Sequence, residues 1–309
     1  SMRHAAGLVL WICAAGLSGF LCFVPVISQP PRRVRRSCCW AKVPAAYAEQ
    51  FAGILPEDFS WEEFLEASKR PLRTCVRVNV LKGDAQSVRH LGARHSWRLG
   101  EKVPWFSDAF WIQSVQAPVF AASQELPSAW AKIAKSKVQR QRPSSGSQGS
   151  TPTTIGWGKD PAFFSGQVYV QEASSLLPVA ALTDAFGAPM DEMRILDMAA
   201  APGGKTTALC AWLANSSGAV VANEPNVARC KVLVENLLRT GSMPKAAVTQ
   251  MDGRQCGKCW PGYFDAVLLD APCSGESLTR REGLEMLEHP AGYVDGLSKL
   301  QRQLIRSAF

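Results

Sequence analysis

The sequence predicts an α/β chain built on a doubly wound parallel sheet, preceded by a smaller α+β region. Three observations point there. From Gly166 onward, short apolar runs alternate with helical segments at regular spacing. A loop of small residues and paired glycines, 197–206, follows one of those runs and opens a helix. Acidic residues then close the next three runs, at the strand ends where sheets of this kind bind ligands.

At 309 residues the chain has room for two modest domains. Its 47% hydrophobic and 19% charged residues suit a packed core rather than a disordered polymer. The net charge of +8 is unevenly spread. Residues 1–48 carry six Lys or Arg and no acid, whereas 166–309 carry 13 basic and 15 acidic residues. The C-terminal half is therefore no basic nucleic-acid grip, and attraction to phosphate falls to the middle of the chain. The ten cysteines are scattered through apolar segments and form no disulfide framework, so a reducing compartment is expected.

Taken in order, residues 5–27 are uncharged and long enough to span a bilayer or to serve a signal sequence. Arg32, Arg33, Arg35 and Arg36 follow. This order of blocks suggests a targeting leader over 1–48, of the kind that reaches an organelle. A membrane anchor or untranslated upstream sequence are the alternatives, and Ser1 and Met2 can be a cloning scar. A leader places the mature protein in a plastid or mitochondrion; without one, cytoplasm or nucleus is expected. Any membrane contact falls on 5–27. Residues 49–123 form the α+β region. Helical spacing over 47–68 breaks at Pro56, and Ser60 with Glu63 makes a capping box. Residues 73–82 alternate as a strand does. Trp97, Trp105 and Trp111 mark a loop-rich stretch with strand pieces. Residues 124–165 are basic, then rich in Ser, Gly and Pro, and suggest a mobile insertion, either a solvated loop or an RNA-facing one. Within 166–309, strands are expected at 194–198, 219–223, 246–251 and 264–269. Helices are expected at 206–214, 227–240 and 297–309, with a strand edge and a further helix in 167–183.

The chemistry concentrates in four places. Ala199, Ala200, Ala201, Pro202, Gly203, Gly204 and Lys205 let backbone N–H groups approach a ligand closely. This loop also resembles a relaxed phosphate loop, with Asp270 available to hold magnesium, so a P-loop NTPase competes. Glu224, Asp252 and Asp270 argue otherwise. An acid after the second strand suits a ribose diol, one after the third an adenine amino group, and one after the fourth an ammonium group. Together they describe S-adenosylmethionine, whereas three carboxylates would repel a triphosphate. Each acid alone is equally well explained as a helix cap. Cys273, just past Asp270, brings a soft nucleophile to the same crevice; a lone cysteine would otherwise be read as packing. Cys256 and Cys259 make only half a zinc site, and no metal is expected. Asn215 begins a glycosylation acceptor that matters only in a secretory lumen. Thr74 and Cys75 form a tempting Thr-Cys dipeptide, but they lie in the N-terminal region, away from the other candidate residues.

The segments DMAAAPGGKT (197–206), NEP (223–225), MDGR (251–254) and LLDAPCSGE (268–276) together resemble the RNA cytosine-5 methyltransferases of the Sun/Nol family. The likeness is closest to the RsmF-type enzymes of bacteria, which modify small-subunit ribosomal RNA. RPLRTCVRVNVLK (70–82) and VYVQEASSLLPVAAL (168–182) are similar to the same group. The resemblance covers roughly 47–309 outside the insertion. It implies a Rossmann-like methyltransferase domain over 166–309, incomplete at its C-terminal end, behind an RNA-binding region. It implies S-adenosylmethionine as cofactor, bound by 199–205, Glu224, Asp252 and Asp270, with Asp270 also touching the cytosine. A thiolate adds to C6 of the cytosine, C5 takes the methyl group, and a base then removes the C5 proton. Cys273 matches the cysteine that assists product release. The substrate implied is small-subunit ribosomal RNA, and the protein is expected to be a monomer.

One departure follows. The attacking cysteine of the family belongs to a later Ser-Thr-Cys motif, expected beyond Phe309. Residues 1–309 alone are thus expected to be inactive and to leave the edge of the fourth strand open. A non-catalytic remnant that binds cofactor or RNA is the alternative from another class. Cys273 acting as substitute nucleophile is a third reading.

Overall fold

The computed structural model describes residues 8–12, 45–50, 55–56, 58–70, 72–95, 97–114, 157, 160–276 and 288–309. Most of the expected leader and most of the expected insertion lie outside these residues.

The chain opens with strand β1 (Leu8–Ile12) and helices α1 (Ala45–Gln50) and α2 (Trp61–Lys69). Strand β2 (Cys75–Val78), helix α3 (Ala85–Arg94) and the hairpin β3 (Trp97–Val103) and β4 (Phe106–Ser114) follow. After the short helix α4 (Pro161–Phe164), strand β5 (Val168–Gln171) leads through a 3-10 turn into α5 (Leu177–Phe186). The regular α/β part then runs β6 (Arg194–Asp197), α6 (Gly204–Trp212), β7 (Ala219–Asn223), α7 (Val227–Thr240), β8 (Ala246–Thr249), α8 (Cys256–Cys259), β9 (Ala266–Asp270) and α9 (Tyr293–Ala308).

Two sheets result. One is antiparallel, ordered β3-β4-β2-β5; the other is parallel, ordered β1-β9-β6-β7-β8. All five residues of β9 are buried because both its faces are covered. Ala266 and Leu268 pack with Leu209 and Leu213 of the α6 region, whereas Val267 and Leu269 pack with Leu304 of α9. The doubly wound sheet expected from sequence is present.

Four details differ from the sequence reading. Residues 75–78 do not alternate between buried and exposed; all four are buried. Val76 and Val78 face α3 and Trp97, whereas Cys75 joins the core beneath β6 and Arg77 bonds Thr207 of α6 at 2.6 Å. The strand is sandwiched between the two halves, so alternation separates two interiors instead of inside from outside. Second, the tryptophan-rich stretch is one hairpin rather than loops, with Trp97 buried and its indole N–H donated to Asp160 at 2.7 Å. Third, Val168–Gln171 joins the antiparallel sheet, pairing with β2 from Val78↔Val168 to Cys75↔Gln171. Fourth, the outer edge of β9 is not open. Leu8–Ile12 pairs with it in parallel, from Leu8↔Ala266 to Ile12↔Asp270, because an apolar run can supply the backbone partners that an edge lacks.

Local signals account for several helix starts. Ser60 caps α2 by accepting from the Glu63 N–H at 3.2 Å, as the capping pattern requires. Asp84 caps α3 through the Ser87 N–H at 2.7 Å. Asp160 caps α4 while holding Trp97.

The two halves are locked where Asn79 donates to the carbonyls of Gly166 (2.8 Å) and Thr240 (2.7 Å). Gly166 has φ +76°, and a Cβ there would lie 1.9 Å from the Arg239 carbonyl oxygen. Gly166→Ala must both strain the backbone and push α7 away from β5. It should destabilise the protein by roughly 2–4 kcal/mol, read from urea unfolding midpoints.

Candidate cofactor site

The C-terminal ends of β9, β6, β7 and β8 stand side by side, so the segments that follow them form one row. This row holds most of the residues singled out from sequence. The loop after β6 turns through Ala199–Gly203 and is pinned at both ends. The Ala200 N–H donates to the Asn223 carbonyl of β7 at 2.8 Å, and the Gly203 N–H returns to the Ala200 carbonyl at 2.8 Å. Gly203 has φ +107°, a conformation that favours glycine, and it places Gly204 as the first residue of α6.

Lys205 is buried on α6 and donates to Asp270 Oδ2 at 2.8 Å. Burial pushes the Asp270 carboxyl up, and the Lys205 ammonium opposes that shift. Asp270 Oδ1 is buried with no partner among the described residues. Glu224, 1% exposed, accepts the Asn226 N–H at Oε1 (2.9 Å) and faces Arg229 at Oε2 (3.3 Å). Arg229 also donates to the Ala201 carbonyl at 2.9 Å, which ties Glu224 to the loop. Asp252 stands apart. It is part-exposed, is gripped by the Arg254 guanidinium at 2.5–3.0 Å, and caps the turn that follows β8. These contacts hold its carboxyl below the usual range. Cys273 is part-buried just past β9. Burial raises its thiol pKa first, with the Asp270 and Glu276 charges adding to the rise.

Three residues beyond those picked from sequence shape the row. Asp197, fully buried at the end of β6, accepts from Thr206 at 2.6 Å, and burial raises its pKa to about 6. Asn223 clasps three strand ends. Its amide donates to the Met198 and Met251 carbonyls, and its oxygen accepts from the Met251 N–H and the Thr249 hydroxyl, all within 3.0–3.2 Å. Arg229 is the third. Asp197 and Asn223 sit at strand ends, the one available signal; nothing in the α7 sequence distinguishes Arg229 from a surface arginine.

The donor set fits S-adenosylmethionine. Asp270 Oδ1 is buried without a hydrogen-bond partner among the described residues, as an acceptor awaiting an ammonium would be, and Glu224 Oε2 has only its ion pair with Arg229. The loop presents backbone and little side chain, leaving room for a ligand. The described residues contain no group of three or more His, Cys, Asp or Glu placed to hold a metal. Cys256 is buried and Cys259 exposed at the two ends of α8.

Comparison with known proteins agrees with this row. Residues 185–309 match the family model described as 16S rRNA methyltransferase RsmB/F, and residues 43–126 match the N-terminal domain of 16S rRNA methyltransferase RsmF. Both matches are to models of the RsmB/F methyltransferases, one for each half of the fold. It is 37% identical over 269 residues to ribosomal RNA small subunit methyltransferase F of Pectobacterium atrosepticum, a match that takes in 87% of this chain and 47% of that protein. The protein of the same name from Serratia proteamaculans is 38% identical over 267 residues, 86% of this chain and 47% of its own. The chain thus spans about half the length of the curated relatives it matches. Among solved structures, NSun6 from Pyrococcus horikoshii with SFG aligns with a TM-score of 0.60 at 18% identity, over 86% of this chain and 79% of that one. The crystal structure of PH0851 aligns with a TM-score of 0.62 at 22% identity, over 86% and 49%. Both show the same fold.

The Lys205–Asp270 pair gives a test of the row's electrostatics. Lys205→Met leaves Asp270 buried without its cation, so its folded-state pKa rises further above the unfolded value of about 4. A carboxyl raised in the folded state stabilises the fold in acid and loses that contribution as pH climbs. The deficit of the variant should therefore be smallest near pH 4 and grow to roughly 3–5 kcal/mol by pH 7 in urea titrations.

Proposed function

We propose that this chain carries the cofactor-binding half of an RNA methyltransferase that acts on C5 of a cytidine in small-subunit ribosomal RNA. The observation that carries the reading is the buried Asp270 Oδ1, which has no partner among the described residues, beside the loop 199–205, together with Glu224 buried after β7. S-adenosylmethionine bound there supplies an electrophilic methyl group. Glu224 would hold the ribose, Asp252 the adenine, and Asp270 the methionine ammonium on one side and the cytosine on the other. Lys205 opposes the upward shift that burial imposes on Asp270 and fixes its carboxyl at the seam between cofactor and base. Cys273 would assist release of the methylated base; burial raises its thiol pKa, so near neutral pH it stands as the thiol. The attacking thiol is expected outside residues 1–309. The leader reading of 1–48 would direct this activity to the ribosomes of an organelle.

Two measurements test this. Isothermal titration of residues 1–309 with S-adenosylmethionine should show binding, and Glu224→Gln should weaken it roughly 10- to 100-fold, the equivalent of one or two hydrogen bonds to a charged acceptor. Unchanged affinity in that variant would remove Glu224 from the ribose. Transfer of labelled methyl to small-subunit ribosomal RNA, followed by nucleoside analysis, should yield 5-methylcytidine only when the chain is extended past Phe309. A different product would overturn the C5 assignment, and activity in the short form that is abolished by Cys273→Ala would make Cys273 the nucleophile.

A further inference from the structure

A cavity of about 370 Å³ opens against the loop 199–205. Ala199–Pro202, Gly204 and Lys205 form one wall, β5 another, and α7 a third, with Phe163 and Trp157 at the side. Glu224, Asp252, Asp270 and Cys273 do not line it, so it adjoins the row that would hold the cofactor and the reacting base and shares the loop 199–205 with it. Lys205 lies between the two.

The walls are mainly apolar and flat. The Arg239 guanidinium carbon lies 4.2 Å from the Phe163 ring centroid and 5.5 Å from that of Tyr169. Arg239 cannot swing away, because it donates to the Phe163 carbonyl at 2.6 Å and to Asn236 Oδ1 at 3.1 Å. On β5, Gln171 contributes an amide whose Oε1 and Nε2 are both buried and both without a partner among the described residues. Leaving donor and acceptor unmet in one side chain is costly in a folded protein. The oxygen lies beside Gly204, where a Cβ would come within 3.1 Å of it. No hydrogen bond holds this amide in place, so rotation about its last torsion can turn it toward the cavity.

Flat walls and a donor–acceptor pair on one amide are what a nucleobase requires. Single-stranded RNA is recognised by stacking on aromatic rings or guanidinium planes and by hydrogen bonds to base edges, and a glutamine amide matches an adjacent donor and acceptor on such an edge. The size falls in the range of small-ligand sites. We propose that this cavity takes an unstacked base of the RNA substrate, a neighbour of the cytidine that reacts, and that Gln171 reads its edge. The inference rests on the RNA-methyltransferase reading above.

The test uses residues 1–309 and fluorescently labelled single-stranded RNA decamers of mixed sequence, with anisotropy for RNA binding and calorimetry for S-adenosylmethionine. Gln171→Leu removes the amide at similar volume, and Val232→Trp narrows the cavity from the α7 side. Both should weaken RNA binding about tenfold, the equivalent of one bidentate base contact, while affinity for S-adenosylmethionine stays unchanged. RNA affinity unchanged in either folded variant overturns the proposal. An equal loss of cofactor affinity also overturns it, by assigning Gln171 to support of the loop. If wild-type protein binds neither S-adenosylmethionine nor RNA, the methyltransferase reading itself fails, an outcome distinct from a wild type that binds both and is indifferent to Gln171 and Val232.

Discussion

Withdrawing a lysine and a carboxylate from water together is the constraint around which this fold is arranged. Lys205 reaches Asp270 only because α6 starts immediately after the tight turn at Gly203 and because β6 lies next to β9 in the sheet. Each charge would be expensive to bury alone, so neither end of the contact can shift without the other. The turn, the strand order and the start of α6 are thereby bound to one geometry. The cavity beyond the loop inherits it, since Lys205 faces both sides.

The strand ends are held by a second device, neutral instead of charged. Asn223, at the end of β7, spends all of its amide valences on Met198 just after β6, Thr249 of β8 and Met251 just after β8. A site made by loops from four strands keeps its spacing only if those strands cannot splay, and a saturated amide achieves this without placing another charge among Asp197, Glu224 and Asp270. The antiparallel sheet is fastened by similar means. Arg77 passes through β2 to bond Thr207, and Asn79 joins Gly166 to the end of α7.

The parts of this architecture legible in the sequence are those fixed by local pattern. Strand β7 and helix α7 fall at the expected residues because apolar periodicity and flanking turn residues agree there. The loop 199–205 and the acids at 224 and 270 were legible because strand ends expose chemistry in a short motif. Asp252 was legible as an acid at a strand end, yet Arg254 two residues on turns it toward the surface. Partnerships over long sequence distance were not legible. The pairing of Val168–Gln171 with β2 depends on a contact about 90 residues away, and the burial of Arg77 depends on Thr207, 130 residues away. The same holds for Leu8–Ile12, whose apolar composition suits a membrane span, a signal segment or an edge strand alike, and for Gln171, whose significance comes from the partners it lacks.

The placement of β4 and β5 on either side of β2 bears on the stretch of chain between Ser114 and Trp157. That stretch departs from one neighbour of β2 and the chain returns to the other, so its two anchor points belong to one sheet. Both anchors are set by their pairing with β2, so the connection leaves and re-enters the fold at fixed points. Length differences between relatives in this connection should leave the distance from the antiparallel sheet to Lys205 and Asp270 the same.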